Sequence, residues 1–135
     1  MSVWNDRIIE EFRANDGHVG GNFAGRPLLL LHHRGARSGT ERISPLMYQR
    51  VGDGYAIFAS KGGADTNPDW YHNLRAHPDV SIELGTDEFD VKARIVEGEE
   101  RAEIWKRQKA DYPFFADYEE KTARAQIPVM VLDPT

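Results

Sequence analysis

Apolar runs and polar breaks divide the chain into helices and short strands. Apolar residues recur at helical spacing over residues 3–15, where Trp4, Ile8, Ile9 and Phe12 stand, so a helix is predicted there. The continuous apolar run "RPLLLLHHR" is typical of a buried strand. After the loop "GARSGT", "ERISPLMYQRV" is predicted to return as a second strand, and "YAIFAS" follows the turn "GDG" as a third.

The second half of the chain continues this alternation of helices and strands. Asn67 is predicted to cap a helix that has Pro68 at its first position. The runs "DVSIELG" and "EFDVKARIV" predict a hairpin around Thr86. Two helices are predicted over residues 99–110 and 114–124, and "IPVMVL" closes the chain as a strand.

Short turns join most of the predicted strands, which makes those strands antiparallel neighbours. About six strands leave two sheet edges to cover, and partial closure into a barrel covers them. No repeat, low-complexity tract or linker divides the chain. The pattern therefore predicts one α+β domain over residues 1–135, in which helices flank a partly closed barrel.

Composition narrows the classes of partner and chemistry. The 135 residues are 40% hydrophobic and 29% charged, as in ordinary globular proteins, and the formal net charge of −5 argues against nucleic-acid binding. The lack of cysteine excludes disulfides, thiolate nucleophiles and iron–sulfur clusters, and it fits a reducing cytoplasm. No run approaches the roughly 20 apolar residues of a membrane span. The acidic N-terminus does not resemble a signal peptide.

Motifs for metal, covalent and common nucleotide chemistry are missing. His32 and His33 are adjacent in a predicted strand, so their side chains face opposite sides and cannot share one metal ion. The chain has no G-x-S-x-G elbow, no G-x-G-x-x-G after a strand and no P-loop. We therefore expect no metal site and no doubly wound dinucleotide fold.

Basic residues concentrate in the first half of the chain. Six basic and two acidic residues lie between Arg26 and Lys61. Arg37 stands in the loop after the first strand, Arg42 begins the second strand, and Lys61 follows the third. In a three-stranded meander these positions meet at one rim, which predicts a site for an anionic ligand. Charges that only keep a sheet edge soluble are the alternative.

Aromatic residues form a second group that suits either a flat ligand or the core. Planar side chains stack on planar ligands, although core packing is the more common use of such residues. The group comprises Trp70, Tyr71, Tyr112, Phe114, Phe115 and Tyr118.

Two segments together resemble a known family. The stretches "RGARSGTERISPL" and "ASKGGADTNPDWYHNLRAHPDV" resemble the deazaflavin (coenzyme F420)-dependent nitroreductases and quinone reductases of actinobacteria, and the resemblance extends from Pro27 to the closing "IPVMVLDP". It implies a split β-barrel like that of FMN-binding proteins, with about six mostly antiparallel strands and flanking helices. It also implies coenzyme F420, a 5-deazaflavin with a phosphate and an oligoglutamate tail.

The resemblance also implies roles for individual residues. Arg37, Arg42 and Lys61 match the cations that hold the phosphate and the acidic tail. Ser60 lies near the redox-active carbon, and Tyr112 or Tyr118 is a candidate proton donor, so these three are the predicted catalytic residues. The remaining predicted coenzyme contacts are Ala36, Ser38, Ile43, Ser44, Pro45, Leu46, Met47, Phe58, Ala59, Asp69, Trp70, Tyr71, His72, Asn73 and Phe115.

The implied activity is hydride transfer from reduced F420 to a small electrophilic acceptor, such as a quinone, an activated enone or a nitroaromatic. Two alternatives stay open: an FMN-dependent oxidoreductase on the same barrel, and a protein that binds the coenzyme or a lipophile without turnover. The spread of three cations favours the long, acidic deazaflavin. His32, His33 and Phe115 depart from the family pattern, which bears on the acceptor more than on the coenzyme.

The resemblance implies a cytoplasmic protein and leaves two further points open. One is the oligomeric state. The other is whether the N-terminal helix touches the inner face of the membrane to reach a quinone or packs on the barrel; the acidic charge of the helix favours packing.

Overall fold

Four helices and seven strands make up the part of the chain that the computed structural model describes, which is residues 3–21 and 25–135. The helices are α1 (Val3–Ala14), α2 (Asp69–Ala76), α3 (Gly98–Asp111) and α4 (Phe114–Lys121). The strands are β1 (Leu28–Arg34), β2 (Glu41–Met47), β3 (Gln49–Val51), β4 (Gly54–Phe58), β5 (Asp79–Leu84), β6 (Asp87–Ile95) and β7 (Val129–Pro134).

The strands form one antiparallel sheet that curls into a half-barrel. Its order is β2-β1-β5-β6-β7-β4-β3, so the two edge strands are consecutive in the chain. Only Tyr48 separates β2 from β3, which brings the two ends of the sheet together and curls it. The fold is therefore the predicted split β-barrel of the α+β class.

The break at Tyr48 corrects the predicted second strand. The run "ERISPLMYQRV" was expected to be one strand between the first and third strands, but β2 pairs with β1 whereas β3 pairs with β4. Gln49 lies opposite Ala56, so the end of β4 lies beside the middle of the broken strand. Lys61 follows β4 and does not line the cleft that Arg37 and Arg42 share, so the meeting of all three cations at one rim stays a prediction.

The run of four leucines in β1 is buried on both faces. Leu29 and Leu31 belong to the cluster inside the half-barrel, together with Trp70 and Leu74 of α2. Leu28 and Leu30 face outwards and pack with Ile9 and Phe12 of α1. A strand covered on both sides needs no polar alternation, which explains the continuous apolar sequence.

Helices α3 and α4 cover the outer face of β4 and β7 with aromatic side chains. Phe58, Trp105 and Phe115 lie in mutual ring contact, with centroids 5.5 to 6.0 Å apart. These separations suit tilted and edge-on aromatic pairs. Among the described residues no helix is both long and apolar enough to cross a membrane.

Candidate functional site

Two of the three predicted cations share a cleft between the β1–β2 loop and α2. Arg37 and Arg42 line it together with Asp69, whose carboxylate lies 3.6 Å from the Arg42 guanidinium. The cleft has a volume of about 610 Å³. We call it the cationic cleft; its lining residues are Gly35, Ala36, Arg37, Ser38, Arg42, Asp69, His72 and Asn73.

A buried chain of hydrogen bonds fixes the loop that carries Arg37. The Ala36 amide donates to Asn73 Oδ1 at 2.9 Å, and Asn73 Nδ2 lies 3.0 Å from His33 Nδ1. His33 Nε2 lies 2.9 Å from Ser44 Oγ. An amide nitrogen can only donate, so His33 Nδ1 accepts this hydrogen bond. The proton of the neutral ring is therefore on Nε2, which donates to Ser44 Oγ. The chain joins the loop, α2, β1 and β2.

His33 is neutral in this chain. Only 3% of its surface is exposed, and burial, followed by the nearby Arg42 charge, lowers its pKa to about 4. Its neighbour His32 faces the other side of β1 and lies 2.6 Å from Glu83. The prediction that the two histidines face opposite ways is confirmed. His33 serves to hold the loop, a role that the sequence did not suggest.

Strand β2 has an open edge that leads away from the cationic cleft. Among the described strands it pairs with β1 alone, so its other side leaves main-chain groups free. The register sets Arg42, Ser44 and Leu46 on the inner face, opposite His33, Leu31 and Leu29. The alternate residues Ile43, Pro45 and Met47 face outwards. The predicted coenzyme contacts from 42 to 47 therefore lie along one strand edge, and their side chains alternate between the two faces of the sheet.

Two further cavities follow this edge. The first has a volume of about 500 Å³ and is shared by β2 and the start of α2; we call it the strand cleft. It contains Arg42, Ile43, Ser44, Asp69 and Trp70 of the predicted set, alongside Asn5, His33, Thr40, Glu41 and Pro68. The second has a volume of about 170 Å³, and we call it the aromatic cavity. It is lined by Arg26, Pro45, Leu46, Met47, Phe58, Ser60, Phe114, Phe115 and Tyr118.

Most of the predicted site residues thus lie along one path, and four do not line it. Ala59 is fully buried in the inner cluster, and Tyr71 is buried there as well. Tyr112 packs beside Phe114 without lining the aromatic cavity. Lys61 stands on the turn after β4, where its ammonium donates to Thr66 Oγ1 at 3.1 Å. The hypothesis that these four contact the coenzyme stays a prediction.

The turn at Lys61, Gly62 and Gly63 has three consecutive residues with positive φ angles of 47, 64 and 83°. A Cβ on Gly63 would meet the Tyr118 Cα at 3.1 Å and the Tyr118 carbonyl oxygen at 3.2 Å, whereas a Cβ on Gly62 would meet nothing within 4 Å. The close approach that the glycine pair permits is therefore to the backbone of α4.

This contact predicts different costs for two neighbouring substitutions. Gly62→Ala should lower the free energy of unfolding by about 1 kcal/mol, the cost of a left-handed backbone for alanine. Gly63→Ala should cost about 2–3 kcal/mol, because the methyl group also pushes against α4. Urea denaturation of both variants measures the difference. Equal losses in the two variants would contradict the packing of Gly63 on α4.

Arg124 is the residue of this region that the sequence analysis missed. Its Nη1 donates to Ala59 O at 2.7 Å and to Asn67 Oδ1 at 2.6 Å, and its Nη2 donates to Ser60 O at 2.9 Å. The guanidinium thus fixes the main chain on both sides of Ser60. Burial lowers its pKa. No motif marks Arg124; the available signal was a glycine-rich turn whose carbonyls need donors.

Asn67 has a different role from the predicted helix cap. Its side-chain oxygen accepts from Arg124, and the position before α2 is taken by Pro68, without a side-chain capping bond. The segment around Arg124 makes two more bonds to the same loop: Thr122 Oγ1 donates to Ala64 O at 2.7 Å, and the Ala123 amide donates to Asp65 Oδ1 at 2.8 Å. The segment after α4, residues 122–124, therefore holds the loop after β4 in place through hydrogen bonds; we call this segment the strap.

These features define a class of small split-barrel protein in which one open strand edge joins a cationic cleft to an aromatic cavity. Comparison with known proteins gives the family. The model of the F420H(2)-dependent quinone reductase family matches residues 4–134. The chain belongs to this family, which confirms the resemblance read from the two motifs.

Relatives and solved structures agree with this membership. An F420H(2)-dependent quinone reductase of Mycobacterium tuberculosis strain H37Rv is 40% identical over 125 residues, which cover 90% of this chain and 83% of the relative. A solved F420-H2 dependent reductase is 43% identical, with a TM-score of 0.72, and covers 80% of this chain and 95% of its own. A solved domain-swapped dimer is 40% identical, with a TM-score of 0.73, and covers 95% and 93%.

Proposed function

We propose that this protein is an oxidoreductase that uses reduced coenzyme F420 to reduce a quinone-type acceptor. The observation that carries the proposal is the succession of three cavities along β2, from the cationic cleft to the aromatic cavity. Arg42 and Met47 stand at the two ends of this path, five residues or about 17 Å apart along the strand. A ligand that is anionic at one end and planar at the other fits such a path.

The residues present suit each part of the coenzyme. Arg37 and Arg42 would hold the phosphate and the acidic tail, because guanidinium groups bind such anions through paired hydrogen bonds. Asp69 beside Arg42 moderates this positive charge. The open edge of β2 would supply main-chain partners to the polar edge of the ring. When bound, reduced F420 supplies a hydride and disfavours single-electron transfer.

The aromatic wall of α4 would receive the acceptor beside Ser60. Phe114, Phe115 and Tyr118 form this wall, and they exclude water from the place where a quinone would stack. Reduction of a quinone by a hydride leaves an anionic oxygen that needs a proton. The Tyr118 hydroxyl is the proton donor we propose, because Tyr118 lines the cavity and Tyr112 does not.

The site has little apolar surface with which to dock on a membrane. Ile9 and Phe12 of α1 are buried against the sheet, and among the described residues Ile95, 42% exposed, is the one large apolar side chain on the surface. Delivery of a water-soluble quinone or an extracted headgroup fits this surface better than insertion of α1 into lipid.

Coenzyme titration followed by single turnover tests the proposal. Purified protein is titrated with F420 and with FMN while ligand fluorescence is followed, and the F420H2-loaded protein is then mixed with menadione in a stopped-flow instrument. Binding of F420 in preference to FMN, with oxidation faster than that of the free coenzyme, is the expected result. Tight FMN binding without F420 binding would favour the FMN-dependent alternative. F420H2 binding without accelerated oxidation across several acceptors would favour the non-catalytic carrier.

Replacement of the two tyrosines should separate their roles. Tyr118→Phe should lower kcat roughly tenfold, because water then replaces the positioned hydroxyl as the proton donor. Tyr112→Phe should lower kcat by less than about threefold, since its ring stays packed on Phe114. Steady-state kinetics with menadione, beside F420 affinities measured by fluorescence, provide the comparison. A larger loss of kcat for Tyr112→Phe would reverse the assignment.

A further inference from the structure

Arg26 brings an unpaired positive charge to the aromatic cavity. Its guanidinium carbon lies 4.6 Å from the centre of the Phe114 ring, and the residue lines the cavity with Ser60 and Tyr118. The carbonyl of the next residue, Pro27, accepts from the Tyr48 amide at 3.2 Å. That bond fixes the segment beside the break between β2 and β3.

No carboxylate neutralises this charge. Among the described residues Arg26 forms no ion pair with an acid, and the residues outside the described part, 1–2 and 22–24, include no acid. The other residues that line the aromatic cavity are apolar or hydroxylic. A single cation among apolar walls attracts an anion far more strongly than the same cation in water.

We propose that Arg26 is an acceptor-binding residue that favours quinones with an anionic substituent, which would lie beside Phe114. This inference rests on the proposed function. In the reaction the C–H bond of the reduced coenzyme breaks and its electron pair passes with the hydrogen to the quinone, which becomes a hydroquinone monoanion. The Arg26 charge stabilises that anion until a proton, from Tyr118 or water, completes the hydroquinone.

A structural role offers a competing explanation, and the chain provides its control. Arg50 lies over the Tyr55 ring at 5.1 Å in the same kind of contact, but it lines none of the three cavities. A cation that only packs on an aromatic ring should behave alike at both positions. A cation that binds the acceptor should matter at Arg26 alone.

The test compares two naphthoquinones that differ in charge, menadione and 1,4-naphthoquinone-2-sulfonate. The ratio of kcat/KM for the sulfonate to that for menadione should fall roughly tenfold in Arg26→Gln. The ratio should be largely kept in Arg26→Lys and unchanged in Arg50→Gln. An unchanged ratio in Arg26→Gln, or an equal fall in Arg50→Gln, would overturn the inference.

Equilibrium binding separates this inference from the proposed function. Quenching of tryptophan fluorescence measures the affinity for each quinone without turnover. Tighter binding of the sulfonate by wild type, lost in Arg26→Gln, would support the anion site even if the protein failed to oxidise F420H2. Equal affinity of wild type and Arg26→Gln for the sulfonate would overturn it even if turnover were observed. Weaker F420 binding by Arg26→Gln with an unchanged quinone preference would assign Arg26 to the coenzyme and also overturn it.

Discussion

Replacing Arg124 with alanine should lower the free energy of unfolding by about 3 kcal/mol. The change removes a cation that donates to the carbonyls of Ala59 and Ser60 and to the side chain of Asn67. Hydrogen bonds to charged groups contribute about 1.5–3 kcal/mol each, and partners left without a donor add a desolvation cost. The half-exposed position of Arg124 reduces the sum, because water can reach part of the site.

Arg107→Ala is the matched control for this prediction. Arg107 also donates to a main-chain carbonyl, that of Arg50 at 3.2 Å, but it is exposed and its ion pair with Asp111 is long at 3.7 Å. Arg107→Ala should therefore lower the free energy of unfolding by less than about 1 kcal/mol. Arg124→Lys should recover little of the stability lost in Arg124→Ala, because one ammonium group cannot reproduce the planar guanidinium that donates to both carbonyls. Thermal or urea unfolding of the three variants decides the point, and equal losses for Arg124→Ala and Arg107→Ala would refute the strap.

A second readout tests whether the strap serves the site as well as the fold. Arg124 fixes the main chain on both sides of Ser60, so its loss should weaken F420 binding roughly tenfold at temperatures where the variant is fully folded. Hydrogen exchange at the Gly63 and Ala64 amides, which donate to Ser60 O and Lys61 O, should speed up in parallel. Unchanged exchange together with unchanged affinity would confine Arg124 to global stability.

Local patterns predicted the elements well, because each depends on neighbours in sequence. The hairpin around Thr86 is confirmed, since Leu84 pairs with Asp87 across a two-residue turn. The four leucines of β1 are buried as predicted. The break at Tyr48 was missed because a strand that changes partners keeps the same alternation of side chains on both sides of the change. Sheet order depends on long-range pairing, such as β1 with β5, which no local pattern encodes.

The motifs predicted a candidate site, whose contacts with the coenzyme stay a prediction. The motifs include the cationic loop, β2 and the start of α2, and the structure sets these along one path. Arg26 and Arg124 were missed because they come from irregular segments with no periodicity or spacing to mark them. Each is recognisable only by what its guanidinium reaches across the fold, a ring in one case and two carbonyls in the other. Side chains that act through such contacts need a structure to be found.

His33 should make the stability of the protein depend on pH between about 6.5 and 4. Its pKa falls to about 4 on folding, chiefly through burial, from an ordinary value of about 6.5 in the unfolded chain. Between these values the unfolded state binds more protons, so stability falls as the pH falls through this window. The contribution of His33 is fully present above pH 6.5 and reaches about 3 kcal/mol.

His33→Gln provides the comparison, because an amide can donate and accept in place of the neutral ring but does not titrate. Urea unfolding at pH 7 and pH 4.5 should show a smaller loss for the variant than for wild type. Carboxylates such as Glu83, whose pKa is lowered by the hydrogen bond from Arg13, lose stabilisation at acid pH in both proteins, so the difference isolates His33. His18→Gln, at an exposed histidine, should follow wild type. Parallel losses in wild type and His33→Gln would remove His33 as the cause.

The same proton should loosen the site before the fold is lost. A protonated His33 has a donor on both ring nitrogens, so it can no longer accept from Asn73, which also holds the Ala36 amide beside Arg37. F420 affinity should therefore fall in wild type as the pH approaches about 4, the pKa of His33 in the folded protein, and fall less in His33→Gln. Fluorescence titrations from pH 6 to pH 4, at a temperature where both proteins stay folded, measure this. Affinities that decline in step in the two proteins would assign the effect to the coenzyme's own acidic groups.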